Sequence, residues 1–311
     1  MDVASNQMST ENYQERELFV KITPHIENEY SPLRKVLVNK NPKVVTSNPN
    51  LIVNPIQRRA VEQMENKTEI KVYPGAAESH ANLLQVLKNN GVELVFSDVT
   101  PIQEGHTPLF TRDIGVIIGD KVLPSKMAYW NRVVEVPEML SKIHEQNIIT
   151  AEQEYHIEGG DVVFLEKDLL LIGIGPRTDI NGLNLLKNNF PEKEFVAFST
   201  VREEEAFHID TNLGILGNKH LVYLPDLVPQ DVVKLLTRRG YTFVEAEMSE
   251  HDTCCTNVLA LNDRKIIAPA ENPITNSRIR ESGVEVIEVS LKDILSFGGG
   301  PHCLTLPLVR D

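Results

Sequence analysis

Cysteine is scarce in this chain: 311 residues hold only 3, an odd number. That excludes a disulfide framework and points to a reducing, cytoplasmic setting. Basic charge is also short, with 31 Lys+Arg against 44 Asp+Glu and a formal charge of −13. Nucleic-acid binders neutralise phosphates with basic side chains, so this balance argues against that class and suits a cationic small ligand or simple solubility. No apolar run approaches the roughly 18 residues a membrane span needs. The opening stretch MDVASNQMSTENYQEREL is polar and acidic. It has neither the basic n-region nor the apolar h-region of a secretory signal. What remains is ordinary globular composition, 41% hydrophobic and 24% charged, in a chain long enough for one large domain or two small ones.

The chain repeats itself. Two short apolar runs joined by a polar turn recur at Val116–Ile118 and Val122–Leu123, then at Val162–Leu165 and Leu169–Ile172. They recur again at Leu213–Leu216 and Leu221–Leu224, and at Val258–Leu261 and Ile266–Ile267. Apolar, β-branched runs around turn residues predict hairpins. Helical patterns followed by Gly and another apolar run accompany them, as in Gln230–Arg238 before Gly240 and Ile274–Glu281 before Gly283. Ala81–Lys88 before Gly91 is a third case, and a Gly in that place fits a left-handed helix cap. The hairpins start roughly 45 to 50 residues apart, within the range of propeller-type arrays. A fifth unit needs both chain ends, with Arg34–Val38 pairing with Leu304–Val309 to close a ring. An ordinary α/β sheet of alternating elements remains the alternative at this point. The expected division is an N-terminal extension over residues 1–30 and a single catalytic domain over residues 31–311.

A polar cluster precedes each hairpin: Thr111-Arg112-Asp113, Glu158-Gly159-Gly160-Asp161, His208-Ile209-Asp210 and Cys254-Cys255-Thr256-Asn257. A further one, Gly298 to Cys303, precedes the C-terminal run. In a pseudo-symmetric ring these clusters converge on one axis. Pooled, they offer a thiol nucleophile, a histidine base and several carboxylates. Carboxylates raise a thiol's pKa, so they make sense if the substrate brings the positive charge. A planar guanidinium with five donors matches such a pocket, and a sulfur there can attack its central carbon. Successive N–H groups at Gly298–Gly300 offer further donors. Cys254 and Cys255 read as small buried residues at a strand start. A zinc set of Cys254, Cys255, Cys303 and His208 lacks the usual ligand spacing.

Six segments resemble the guanidino-group-modifying superfamily of arginine deiminases, agmatine deiminases, dimethylargininases and amidinotransferases. They are FTRDIGVIIGD (110–120), EGGDVVF (158–164), IGIGPRT (172–178), HIDTNLGIL (208–216), TNVLAL (256–261) and GGGPHCLTLPL (298–308). The resemblance runs from about residue 32 to the C-terminus. It implies an α/β fold, the five-bladed ββαβ propeller called the pentein fold, around a central active site. It implies Cys303 as nucleophile, His208 as general acid/base, Asp113 and Asp210 on the guanidinium nitrogens, and Glu158 supporting histidine and substrate. Asp161 and Gly300 are expected at the substrate, and Arg132 and Arg177 on the carboxylate of an amino-acid substrate. EGGD, HID and GGGPHC look most like arginine deiminases, although Thr107 stands where those enzymes often have Asn. The implied reaction is hydrolysis of the guanidinium of arginine or a close analogue to ammonia and a ureido product such as citrulline. The alternatives are transfer of the amidino group to an amine, and hydrolysis of agmatine or a methylated arginine. No metal or organic cofactor is implied, nor a nucleic-acid or membrane partner, and a homo-oligomer stays open.

Overall fold

In the computed structural model the repeat becomes five small sheets; it describes residues 21–42, 74–100, 108–128, 130–199 and 208–311. Four of the five begin with an antiparallel hairpin. In the second unit of this kind β5 (Val162–Glu166) pairs with β6 (Leu169–Gly173), Val163 opposite Leu171 and Phe164 opposite Leu170. A helix, Ile180–Asn189, then returns the chain so that β7 (Glu194–Phe198) adds in parallel to β6. The same ββαβ order joins β8 (Leu213–Gly217), β9 (His220–Tyr223) and β10 (Thr242–Glu245), and again β11 (Leu259–Asn262), β12 (Lys265–Pro269) and β13 (Glu285–Val289). The ring closes as expected from the two chain ends. β14 (Leu306–Arg310) runs antiparallel to β1 (Leu33–Asn39), with Val36 opposite Pro307, and β2 (Glu93–Ser97) lies parallel on the far side of β1.

Burial falls from the inner strand of each blade to the outer one. β5 and β8 are almost wholly buried, whereas β7 and β13 alternate between exposed and half-buried positions. Strands covered on both faces need continuous apolar runs, and strands at the rim do not. The helices bury one stripe only: Gln230–Arg238 seats Val232 and Leu236 against Leu213, Ile215 and Tyr241 and leaves most of its length to solvent. Gly91, Gly240 and Gly283 close their helices with φ of +76°, +87° and +91°, the left-handed geometry expected of them.

Two features depart from the repeat. The blade of β3 (Gly115–Ile118) and β4 (Lys121–Pro124) has only two strands. Short helical turns fill residues 130–147, and Ile148 and Ile149 make a brief parallel contact with Val122 in place of a third strand. The N-terminal residues from Ile22 onward, expected within an extension, lie across several blades. Ile22 bridges Ile143, His25 bridges Val309, Ile26 bridges Gly119, and Glu29 N–H donates to the Phe164 carbonyl. The working domain therefore begins before residue 31. Among the described residues no helix is long and apolar enough to cross a membrane.

Candidate active site

Short 3-10 turns sit at the head of the inner strands and carry the polar clusters. Thr111–Ile114 leads into β3, Gly159–Asp161 into β5, Ile209–Thr211 into β8, and Met248–Thr253 precedes β11. Because each turn occupies the same place in its blade, Asp113, Glu158, Asp161, His208 and Asp210 are all buried around one centre with Cys303. Neighbouring turns approach so closely that only glycine fits between them. A Cβ at Gly159 would stand 2.1 Å from the Arg112 carbonyl oxygen, and one at Gly160 2.7 Å from the His208 ring. The two glycines of EGGD therefore let the blades meet.

One side of the centre is built on His208. Its Nε2 lies 2.9 Å from Glu158 Oε2 and its Nδ1 3.5 Å from Asp113 Oδ1. Burial alone would push the imidazole down, but Asp113, Asp161 and Glu158 outweigh it and raise the pKa to about 9. Burial likewise works against the Glu158 carboxylate, yet Arg177, whose Nη1 donates to Oε2 at 2.8 Å, and His208 hold its pKa near 2. Asp161 lies one layer behind. Its Oδ2 accepts from Thr178 Oγ1 at 2.8 Å and its Oδ1 from Ile209 N–H at 3.2 Å, and burial raises it to about 7.

The other side is built on Cys303. Its Sγ lies 3.3 Å from Asp210 Oδ2 and 3.0 Å from Asn257 Nδ2, while Asn257 Oδ1 accepts from Cys303 N–H at 3.1 Å and Gly300 N–H at 3.0 Å. Burial pushes the thiol well above its usual range, and Asp210 and Asp113 push it further. Asp210 itself is held low, because the hydrogen bond and charge of His302 overcome its burial. His302 Nδ1 donates to Asp210 Oδ2 at 2.7 Å and Nε2 to Glu29 Oε2 at 2.6 Å. Between the two sides, Asp113 Oδ1 and Asp210 Oδ1 are buried and accept no hydrogen bond among the described residues. Buried acceptors left this way are costly unless a ligand supplies donors.

Several expectations need correction. Arg132 and Arg177 are not presented for a substrate carboxylate. Arg132 donates to Asp113 Oδ2, to both Glu135 oxygens at 2.8 Å and to the Phe110 carbonyl at 2.7 Å, and Arg177 is paired with Glu158. To take a carboxylate, either would have to leave buried partners of the same charge type. Gly300 spends its N–H on Asn257 instead of a ligand, and Asp161 backs His208 from behind. Thr107 lies outside the described residues. Asp113, Glu158 and His208 place ligand-type atoms within 4.8 Å of one another, yet Arg132 and Arg177 already bring cationic charge to the same carboxylates, which disfavours a metal ion there. The zinc set does not form around His208, whose ring faces Glu158 and Asp113. Asn257, Glu29, His302 and Glu135 were not singled out from the sequence. Asn257 and His302 each lie within a polar cluster read from the sequence, Asn257 closing the one ahead of β11 and His302 preceding Cys303, whereas Glu29 and Glu135 carried no such signal.

The sequence profile described as N,N dimethylarginine dimethylhydrolase, eukaryotic, matches residues 41–310. An uncharacterized protein of Bacillus subtilis (strain 168), YkgA, is 30% identical over 284 residues, 91% of this chain and 94% of that protein. The arginine deiminase of Borreliella burgdorferi (strain ZS7) is 26% identical over 71% of this chain, which spans 64% of that enzyme. The N-terminal domain of ArgZ, an arginine dihydrolase from the ornithine-ammonia cycle in Cyanobacteria, superposes with a TM-score of 0.74 at 21% identity, covering 89% of this chain and 97% of that domain.

Proposed function

Because the chain belongs to the N,N-dimethylarginine dimethylhydrolase family, within the superfamily of guanidino-modifying enzymes, we propose that it hydrolyses the guanidinium of arginine or a close analogue at Cys303. The observation that carries this is a pair of buried carboxylate oxygens, Asp113 Oδ1 and Asp210 Oδ1, that accept no hydrogen bond among the described residues and lie beside a thiol and a cationic histidine. A guanidinium supplies planar N–H donors to both oxygens and places its carbon near the sulfur. Its positive charge also offsets the two carboxylates that hold the thiol protonated, so substrate binding itself favours the thiolate.

The chemistry then follows in two stages. Cys303 thiolate adds to the guanidinium carbon, and His208, protonated at neutral pH, gives a proton to the departing nitrogen, which leaves as ammonia. The thiouronium on Sγ is attacked by water, whose proton returns to His208. Expulsion of the sulfur restores the thiolate, and the second proton of the water passes to solvent as the neutral ureido product forms. Glu158 keeps the imidazole oriented and charged. If an amine takes the place of water, the same adduct ends in amidino transfer, so the product decides between the two.

Turnover on a panel of arginine, agmatine, methylated arginines and guanidino acids, with and without glycine or ornithine, tests the assignment by mass spectrometry. Arginine is expected to yield citrulline and ammonia, and quenching mid-reaction to leave an adduct on the peptide containing Cys303. Cys303→Ser should abolish both. Retained turnover in that variant, or an adduct on Cys254 or Cys255, would reject Cys303.

A further inference from the structure

We propose that Glu29 is a positioning residue of this centre, acting through His302 to fix Asp210 and the Cys303 thiol; this rests on Cys303 being the nucleophile. Glu29 lies upstream of the segment that the family profile matches. It is nonetheless buried, and its two oxygens do different work. Oε1 accepts from Phe164 N–H at 3.2 Å and faces Arg112 Nη1 at 3.7 Å, which ties the N-terminal segment to its neighbouring blade. Oε2 faces the site, receiving His302 Nε2–H at 2.6 Å.

With Glu29 on one nitrogen and Asp210 on the other, His302 has both ring nitrogens as donors, so it is an imidazolium. The charges facing this chain are Arg112 and Arg310 beside Glu29, Arg112 beside His302, and His208, Arg112 and His302 around Asp210. Burial and Arg112 both oppose a charged His302, and the two carboxylates overcome them. The consequence reaches the sulfur by one further contact. Asp210 Oδ2 is occupied by the imidazolium and by Cys303 Sγ, which turns Oδ1 toward the centre and partly cancels the carboxylate charge that opposes thiolate formation.

Replacing Glu29 with Gln keeps the shape and an acceptor for Phe164 N–H, but directs an amide NH2 at His302 Nε2. His302 must then give up that proton, and Asp210 stands uncompensated beside the thiol. The imidazolium is nearer to Cys303 than Glu29 is, so loss of both charges leaves the thiol in a more negative surrounding.

Alkylation of Cys303 by iodoacetamide, mapped to its peptide and followed against pH without substrate, reads this directly. Glu29→Gln should slow alkylation at pH 8 about tenfold, the effect of a one-unit rise in the thiol pKa. The difference should narrow as the pH falls and His302 regains its proton. His302→Asn, which leaves the tie to Phe164 intact, should give the same slowing at pH 8. In the double variant the two effects should not add, because Glu29 acts through His302. A folded Glu29→Gln or His302→Asn protein with the wild-type alkylation profile would overturn the proposal, and so would additive losses in the double variant. Absence of turnover on every guanidine tested, with the alkylation effect intact, would refute the hydrolase and leave the Glu29 link standing.

Discussion

Two buried histidines in this protein are each gripped by two carboxylates, and they sit in opposite situations. His208 lies between Glu158 and Asp113 with its ring against the backbone of Gly160, and faces Asp113 Oδ1 at 3.5 Å. His302 lies between Asp210 and Glu29, and Asp210 Oδ2 links it to the sulfur. Both are held cationic by the same physics, opposite charge outweighing burial. What separates them is position: His208 faces Asp113 at the centre, whereas His302 stands behind Asp210. A charged histidine next to a nucleophile is thus not by itself a general acid, and its place relative to the reacting atoms decides.

The comparison breaks most visibly in turnover. His208→Asn should cost about 10²–10⁴-fold in kcat, the range for losing general acid–base catalysis. His302→Asn should cost at least tenfold less than that, with a shifted pH profile. Equal losses would mean that the two histidines share the proton chemistry.

Next in size is the carboxylate under His208. Glu158→Gln removes the charge that compensates both Arg177 and His208 in a buried place. Breaking such a pair costs about 3–5 kcal/mol, so the melting temperature should drop along with activity. A variant as stable as wild type would show that the ion pairs around Glu158 are dispensable for folding.

A smaller effect follows from linkage. His208 has a folded pKa of about 9, above the ordinary histidine value, so the protein binds that proton more tightly folded than unfolded. Its contribution to stability is complete below about pH 6.5 and is lost as pH rises through about 9. The melting temperature should therefore fall across that window, and the fall should flatten in His208→Asn. Glu158 runs the other way: its pKa near 2 stabilises above the ordinary carboxylate range and is lost on acidification.

The smallest effect is expected at Cys255. It is buried, its thiol is pushed up to about 12 chiefly by burial, and it packs in the cluster of Leu216, Val222 and Ile266. Cys255→Ala should change stability by about 1 kcal/mol and leave kcat unchanged. A large loss of turnover with normal folding would mean that the thiol chemistry is not confined to Cys303.

Much of this molecule was legible before any coordinates. The alternation of apolar runs and turns is local, so the four hairpins and the helices Gln230–Arg238 and Pro273–Glu281 could be read from it. The constant phase of the polar clusters against those hairpins placed Asp113, Glu158, His208, Asp210 and Cys303 in one neighbourhood, because a repeat puts equivalent positions around one axis. Other properties are not local. Arg132 and Arg177 looked like anion receptors because a sequence names a charge without naming its partner. Folding assigned them Asp113, Glu135 and Glu158, since a buried cation must be paired. Glu29 looked like one more acid in an acidic N-terminal stretch. Only tertiary structure brought it to His302 across 273 residues of sequence, where desolvation makes a single hydrogen-bonded charge strong enough to set the state of the groups beside Cys303.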